Sequence, residues 1–476
     1  MTIKVYNTLT QQKEELQNDG ERVGIYVCGV TPYSDTHLGH ARPSVVWDVI
    51  KKYLKYRGYE TFHVQNFTDI DDKIISRSLE TGIAPLELAA HYAQDYLESM
   101  DALGVERADL YPRVSEHMPE IINMIETLIE RGHAYAVNGN VFYDVTSFPE
   151  YGKLSNQKLD QLQAGTRFEV DPDKRHPLDF ALWKKAKPNE PAWDSPWGKG
   201  RPGWHIECSA MSNKYLGPEF DFHGGGCDLI FPHHENEIAQ SEAATGRPLA
   251  KYWLHNGMLN LKDEKMSKSQ GNFITVKQVL EQYPKELVRF FILSSHYRSE
   301  LEYHDQKLDE VGRGWQRFND CVSALAKMVE EPTEKLILPE EETALLEAVY
   351  LAEKKFKDAM DDDFNTAMAI GVLFELLHQV NAFIAKGKTT PEANFVLHQA
   401  YQVFSTLAGD ILGIIKLEED QLAGLTQPLM ELILELRTEL RKQKQYQLSD
   451  YIRDQLATLN IVIEDTPNGP RWKFKS

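Results

Sequence analysis

Two short strings and one scattered set of residues carry the chemistry legible in this chain. His37-Leu38-Gly39-His40 sets two imidazoles and a bare backbone position just before a helix. Lys265-Met266-Ser267-Lys268-Ser269 sets two ammonium groups and two hydroxyls on a loop. Both strings suit triphosphate oxygens; H-x-G-H alone is a weak pattern, and the lysine string downstream strengthens it. The scattered set is Cys28, Cys208, His233 and Glu237. His233 and Glu237 are four apart, so they share one face if a helix begins at Pro232. Two sulfurs, an imidazole and a carboxylate make an acceptable zinc shell, and two thiolates favour zinc over magnesium or calcium. Spacing alone leaves open two buried cysteines beside a solvated His/Glu helix pair. His234-Glu235-Asn236-Glu237-Ile238 lacks the second histidine of a zinc-protease motif, Ile238 standing in its place.

The elements that must position these residues follow from periodicity. Residues 22–29 read as a buried strand ending in a turn. After a polar loop, Val45, Val46, Val49, Ile50, Tyr53 and Leu54 have helical spacing, with Pro43 suited to the first turn and Gly58 to the stop. A second strand is expected from Thr61 to Phe67. A strand–loop–helix–strand unit predicts a parallel sheet with helices on its faces and ligands at the carboxyl ends of its strands. Cys28, the His-Gly-His string and Thr68-Asp69 fall at such ends. Residues 187–204, with four prolines and three tryptophans, read as an ordered loop. Strands resume at Phe220–His223, before Gly224 to Gly226, and near Tyr252–Leu254. Helical periodicity runs from about Leu308 to Lys416, with a linker at 330–342; a charged helix and one apolar strand, Leu459–Ile463, end the chain.

With 476 residues, 42% hydrophobic and 26% charged, the chain is long enough for several folded units. A net charge of −20 argues mildly against nucleic acid, although local patches decide such binding. Four cysteines are no disulfide framework. No stretch approaches the roughly 18 consecutive apolar residues that span a bilayer, and the first residues lack the apolar core of a secretion signal. A cytoplasmic protein without a membrane is expected.

Together with residues 26–33, 66–73, 203–211 and 231–237, these strings resemble the bacterial cysteinyl-tRNA synthetases, a class I aminoacyl-tRNA synthetase family, over almost the full length. The resemblance implies an α/β fold. A class I Rossmann-like parallel-sheet catalytic domain (residues 1–115 and 205–260) would carry a connective insertion (116–204). A loop and stem-contact region (261–315), a helical tRNA-binding domain (316–416) and a small C-terminal α+β anticodon-binding domain (417–476) would follow. It implies one Zn2+ held by Cys28, Cys208, His233 and Glu237, and ATP accompanied by Mg2+. His37, His40, Lys265 and Lys268 would be catalytic, Lys268 also binding ATP, and Gly39 would let the nucleotide approach the backbone. Asp228 would bind the ribose, and Asn256 with Gly257-Met258 would flank the adenine. L-cysteine would lie against Cys28, Gly29, Thr68 and Trp204, with Asp69 beside its amino or carboxylate group; Trp204 also has a plain packing reading. Cys227 departs from the family pattern and reads as a bystander thiol. Cysteine tRNA would be the acceptor and the protein a monomer.

Choosing cysteine over serine, alanine or valine by packing alone yields only about 1–3 kcal/mol. A zinc ion that takes the substrate sulfur as a ligand makes the difference chemical, because it prefers soft sulfur to a neutral hydroxyl. The main alternative is a tRNA-independent ligase joining cysteine to an amino sugar with the same catalytic domain. The tail beyond Leu308 favours tRNA. A zinc-stabilised nucleotide-binding protein without turnover and a small-molecule nucleotidylyltransferase are the remaining rivals.

Overall fold

The computed structural model of the chain describes residues 2–18, 22–159, 172–188, 190–261, 264–265, 273–330, 337–416, 418–459, 461–466 and 469–474. An antiparallel pair, β1 (Lys4–Asn7) and β2 (Gln12–Glu15), precedes β3 (Val23–Val30), α1 (Leu38–Tyr56) and β4 (Thr61–Phe67). The opening of β3 is a continuous buried run, Val-Gly-Ile-Tyr-Val, as expected of a parallel strand covered on both faces. Helices α2 (Asp72–Thr81), α3 (Pro85–Ala102) and α4 (Met118–Glu130) follow. Strands β5 (Ala134–Val137), β6 (Asn140–Tyr143), β7 (Phe180–Lys185) and β8 (Gly200–Pro202) then form a separate antiparallel sheet in that order. The chain returns through α5 (Trp204–Leu216), β9 (Phe220–Gly226), α6 (Glu235–Thr245) and β10 (Ala250–Asn256).

The expected parallel sheet is present, with strand order β10-β9-β3-β4. Its register sets Ile25 against Phe222 and Tyr26 against His223, so the ends of β3 and β9 lie side by side. Short parallel bridges from Val64 to Leu110 and Phe67 to Arg113 extend the β4 edge. All four strands therefore deliver their carboxyl-terminal residues to one rim: Cys28, Asn66, Gly225 and Asn256.

Three local expectations are corrected. Helix α1 begins at Leu38 with His37 as N-cap, so Pro43 lies inside it and the His-Gly-His string forms its first turn. Tertiary contacts set that start: the Leu38 amide donates to the Ile274 carbonyl at 3.1 Å, and His37 bridges to Thr275. Pro43 cannot donate to the carbonyl four residues back, so the helix keeps its course without that bond. The loop expected at 187–204 contains β8, an edge strand where proline is tolerated, and Trp204 opens α5. The end of the chain carries a hairpin where one strand was expected.

Beyond the sheet lie β11 (Leu259–Leu261), β12 (Glu264–Lys265), α7 (Val276–Gln282), α8 (Lys285–Leu293) and β13 (Leu301–Tyr303). A helical array follows: α9 (Asp305–Met328), α10 (Glu340–Asp361), α11 (Thr366–Ile384) and α12 (Pro391–Phe404). Phe318, Phe356, Leu373 and Phe404 are buried within it. Among the described residues α11 alone is long and apolar enough to cross a membrane, and here its Ala369, Leu373, Leu376 and Val380 face the core. Helices α13 (Glu418–Lys442) and α14 (Tyr446–Thr458) then lead into the hairpin of β14 (Ile461–Thr466) and β15 (Gly469–Phe474).

The array is pinned to α1. Arg289 of α8 donates to Asp48 at 2.6 Å and to the Leu412 carbonyl at 3.0 Å, both charges fully buried. Burial would raise the Asp48 carboxyl, but Arg289 and Lys52 hold it below the usual range.

His63 on β4 is buried, and burial, reinforced by Lys51, holds its imidazole down at about 3. The unfolded chain binds a proton near pH 6.5 that the folded chain refuses, so this contribution to stability is intact above pH 6.5 and is lost as pH falls toward 3. It should cost about 2 kcal/mol by pH 5. Urea denaturation at pH 7 and pH 5 should show that loss, and His63→Asn should flatten the dependence; an unchanged slope in the variant would contradict the assignment.

Candidate active site

Four donors meet at the rim. Cys28 comes from β3, Cys208 from the second turn of α5, His233 from the turn before α6 and Glu237 from the first turn of α6. Their ligating atoms all lie within 4.8 Å of one another. The helix expected to begin at Pro232 begins at Glu235 instead, after a wide turn spanning Ile230–His234. Phe231 is extended there, as a residue before proline prefers. His233 Nε2 nevertheless reaches Glu237 Oε1 at 3.1 Å. Cys28 Sγ lies 3.7 Å from Cys208 Sγ and 3.2 Å from Glu237 Oε1, and both thiols are free.

Burial raises the Cys28 thiol well above its ordinary value. The hydrogen bond from Cys28 holds Cys208 down at about 6 against the opposing effect of burial. Burial would also raise Glu237 and lower His233. The charges of His223 and His233 outweigh burial and hold the Glu237 carboxylate well below its usual range, while Glu237, with Cys208, holds the His233 imidazole up at about 10. The cluster thus favours an ionised sulfur and an ionised carboxylate. Two thiolates each about 2.3 Å from one zinc ion in a tetrahedron stand about 3.8 Å apart. The observed sulfur separation, with one imidazole and one carboxylate beside it, fits that ion.

Several partners in this cluster were not foreseen. His223, on β9, is fully buried; its Nε2 meets Glu237 Oε2 at 2.9 Å and its ring stacks on Trp253 at 4.3 Å. His234 bonds His255 at 2.8 Å, and His205 meets His233 at 2.9 Å. Cys28, His223, His234 and Glu237 form a second converging group, and Cys227 belongs to neither group among the described residues. Asn66 accepts from the Gly29 amide at 3.0 Å and lies 3.7 Å from Cys208 Sγ. At Gly29 a Cβ would fall 1.5 Å from the Asn66 carbonyl, so no side chain fits. Thr68 bonds Glu207 at 3.2 Å, and burial, reinforced by Cys208, raises the Glu207 carboxyl well above its usual range. Asp69 is engaged by Ser115. Trp204, 40% exposed, lays its ring 4.2 Å from that of His233. It covers the cluster from outside and is not a core packing residue.

A cavity of about 480 Å³ opens beside the cluster. Its lining includes Cys28 and Gly29 from β3 and, from the end of β10 two strands away, Asn256, Gly257 and Met258. His37, Gly39 and His40 at the start of α1 line it as well, as do Asp228 and Lys73. The two imidazoles stack at 3.7 Å, and a Cβ on Gly39 would come within 2.9 Å of the His37 ring. Gly39 therefore protects the stack as well as giving access to the backbone. Asn256 is buried with its side-chain amide nitrogen unpartnered among the described residues, while Asp228 is exposed. Lys73 was overlooked although it stands in the string 66–73. In β12 the Lys265 backbone pairs with Asn260 of β11, and Lys268 lies outside the described residues.

The cavity thus offers phosphate donors at a helix N-terminus and polar groups at strand ends, with a sulfur-rich cluster at one end. The family described as tRNA synthetases class I (C) catalytic domain matches residues 14–313, and the DALR domain family matches 355–416. The cysteine–tRNA ligase of Carboxydothermus hydrogenoformans is 51% identical over 475 residues, covering 99% of this chain and 100% of that protein. That of Heliobacterium modesticaldum is 51% identical with the same coverages. That of Thermococcus onnurineus is 50% identical, covering 99% of each. Among solved structures, Mycobacterium tuberculosis methionyl-tRNA synthetase in complex with methionyl-adenylate superposes with a TM-score of 0.61 at 16% identity, covering 82% of this chain and 93% of that one, a likeness of fold. The parallel sheet, the cavity at its carboxyl rim and full-length relatives at half identity agree: the chain belongs to the cysteine–tRNA ligases, within the class I aminoacyl-tRNA synthetases.

Proposed function

We propose that the chain activates L-cysteine with ATP and transfers it to the 3′ end of cysteine tRNA. The observation that carries this reading is the junction of a two-thiol, four-donor cluster with a cavity walled by His37 and His40. In the first step the cysteine carboxylate attacks the α-phosphorus and expels pyrophosphate. In the second, the 2′-hydroxyl of the terminal ribose attacks the adenylate carbonyl and expels AMP. Charge builds on phosphate oxygens in the first step, and catalysis rests on positioning and preorganised donors. His37 and His40 donate to those oxygens with the N-terminus of α1 behind them. Lys265 and Lys268 neutralise the leaving pyrophosphate, whose Mg2+ arrives with ATP. Asn256 binds the adenine edge and Asp228 a ribose hydroxyl. Cys28, Cys208, His233 and Glu237 would hold a zinc ion, which would supply a preference for a soft thiolate over a hydroxyl. Gly29 lines the pocket for the small substrate with bare backbone, Thr68 borders its polar end, and Trp204 covers it.

The DALR domain match and the helices from Asp305 onward support tRNA as the acceptor over an amino sugar. Residues 1–115 with 205–260 form the catalytic unit, 116–204 the insertion and 261–315 the stem-contact region in this reading. Residues 316–416 bind the tRNA body and 417–476 the anticodon. The protein works as a cytoplasmic monomer. Incubated with ATP and radiolabelled cysteine, it should charge cysteine tRNA, resolved from free tRNA on an acid gel. Uncharged tRNA together with cysteine transferred to glucosamine-type sugars would reverse the choice of acceptor.

A further inference from the structure

Three consecutive carboxylates, Asp361, Asp362 and Asp363, sit where α10 ends and the chain turns into α11. Each takes a different part of the catalytic region. Asp361 accepts from Tyr53 at 2.6 Å and from Arg57, at the far end of the helix that His37 caps. Asp362, exposed, meets Lys13 at 2.6 Å. Asp363 is fully buried and has a left-handed backbone, φ 65°, that non-glycine residues rarely adopt. Its Oδ1 accepts from the Tyr6 amide and the Tyr297 hydroxyl, each at 2.8 Å. Its Oδ2 accepts from Arg298 Nε at 2.8 Å and Nη2 at 2.7 Å, and its own amide donates to the Lys4 carbonyl at 2.8 Å.

The segment so gripped reaches the nucleotide cavity in one step. The Gly257 amide donates to the Tyr297 carbonyl at 2.8 Å, and the Leu301 amide to the Met258 carbonyl at 2.9 Å. Gly257 has no room to shift sideways, since a Cβ there would lie 2.3 Å from the Ser299 carbonyl. Buried Arg42, on the helix that carries His40, closes the circuit. It donates to the Gly257 and Met258 carbonyls at 2.8 and 2.7 Å and to that of Ser299. Residues 257 and 258 are therefore tied both to the segment held by Asp363 and to Arg42, which itself bonds that segment.

We infer that Asp363 is a positioning residue of the nucleotide site. From the helical array it fixes the Tyr297–Ser299 segment, and through it the Asn256–Met258 wall of the cavity. The inference rests on the reading of Asn256 as an adenine contact. A buried carboxylate with four donors is satisfied only in one arrangement, so its loss loosens the wall it backs and leaves the cysteine end, across the cavity, in place.

ATP–pyrophosphate exchange by the zinc-loaded full chain tests this, with ATP and cysteine varied in turn. Asp363→Asn should raise the KM for ATP roughly tenfold, and Tyr297→Phe, which removes one donor and keeps the ring, roughly threefold. The KM for cysteine should stay within about twofold in both. Should Asp363→Asn fail to fold, Tyr297→Phe carries the test. Parallel rises in both KM values, or an unchanged ATP KM in these variants while Asn256→Ala raises it, would overturn the role of Asp363 alone. An unchanged ATP KM in Asn256→Ala would instead remove the adenine reading, and the inference with it.

Discussion

Cys208→Ser is expected to abolish stoichiometric zinc and to raise the KM for cysteine at least a hundredfold. Cys208 is buried at 1% exposure, and its sulfur lies 3.7 Å from Cys28 Sγ, so a hydroxyl in its place keeps the space and loses the soft donor. In the native cluster Cys208 is held down at about 6, by the hydrogen bond from Cys28 foremost, with His233 contributing. Serine cannot ionise in that range and leaves a shell of one sulfur, one nitrogen and one oxygen. Outer partners of a metal site alone are worth about 10- to 100-fold in affinity, and a direct ligand is worth more. Elemental analysis of the purified variant and exchange kinetics check the two halves of this expectation. Full zinc content with an unchanged cysteine KM would remove Cys208 from the ligand set.

Lys268→Ala is expected to slow adenylate formation by roughly 10²–10³ while leaving cysteine binding intact, by analogy with the loss of one preorganised donor to a developing oxyanion. The affected charge appears only as pyrophosphate departs, so the loss falls on the rate of the chemical step and spares the ground state. Rapid-quench measurement of cysteinyl-adenylate, alongside calorimetric titration with cysteine, separates the two. Exchange near the unaltered rate would exclude Lys268 from the reaction. Lys265 lies on the same string and should show a smaller effect of the same sign.

The strands that hold the cluster were legible because their apolar runs are short, continuous and bounded by turn residues. Residues 22–29 and 61–67 correspond to β3 and β4, and Phe220 and Tyr252 lie in β9 and β10. The start of α1 was not legible, since Pro43 resembles a first-turn proline and the contacts that move the start to Leu38 come from residues 274 and 275. The same holds for β8, whose partner β7 lies on the other side of a proline-rich stretch. Within the site, Cys28, Cys208, His233 and Glu237 drew attention by residue type, but spacing alone did not join them. Helix α5, the turn before α6 and α6 itself do so, delivering side chains that stand 180 to 209 residues from Cys28. Asn66, Glu207 and His223 were passed over because each works through a neighbour. A histidine just before three glycines at a strand end was the available signal for His223, whose ring braces Glu237.

The proposed function joins a sulfur-selective centre to a nucleotide-activating cavity. ATP–pyrophosphate exchange, measured without tRNA and with L-cysteine or L-serine as the amino acid, tests that junction most directly. Exchange is expected with cysteine, with a kcat/KM for serine lower by at least about 10⁴, beyond what packing supplies in a small pocket. Comparable exchange with both amino acids, or none with cysteine, would contradict it.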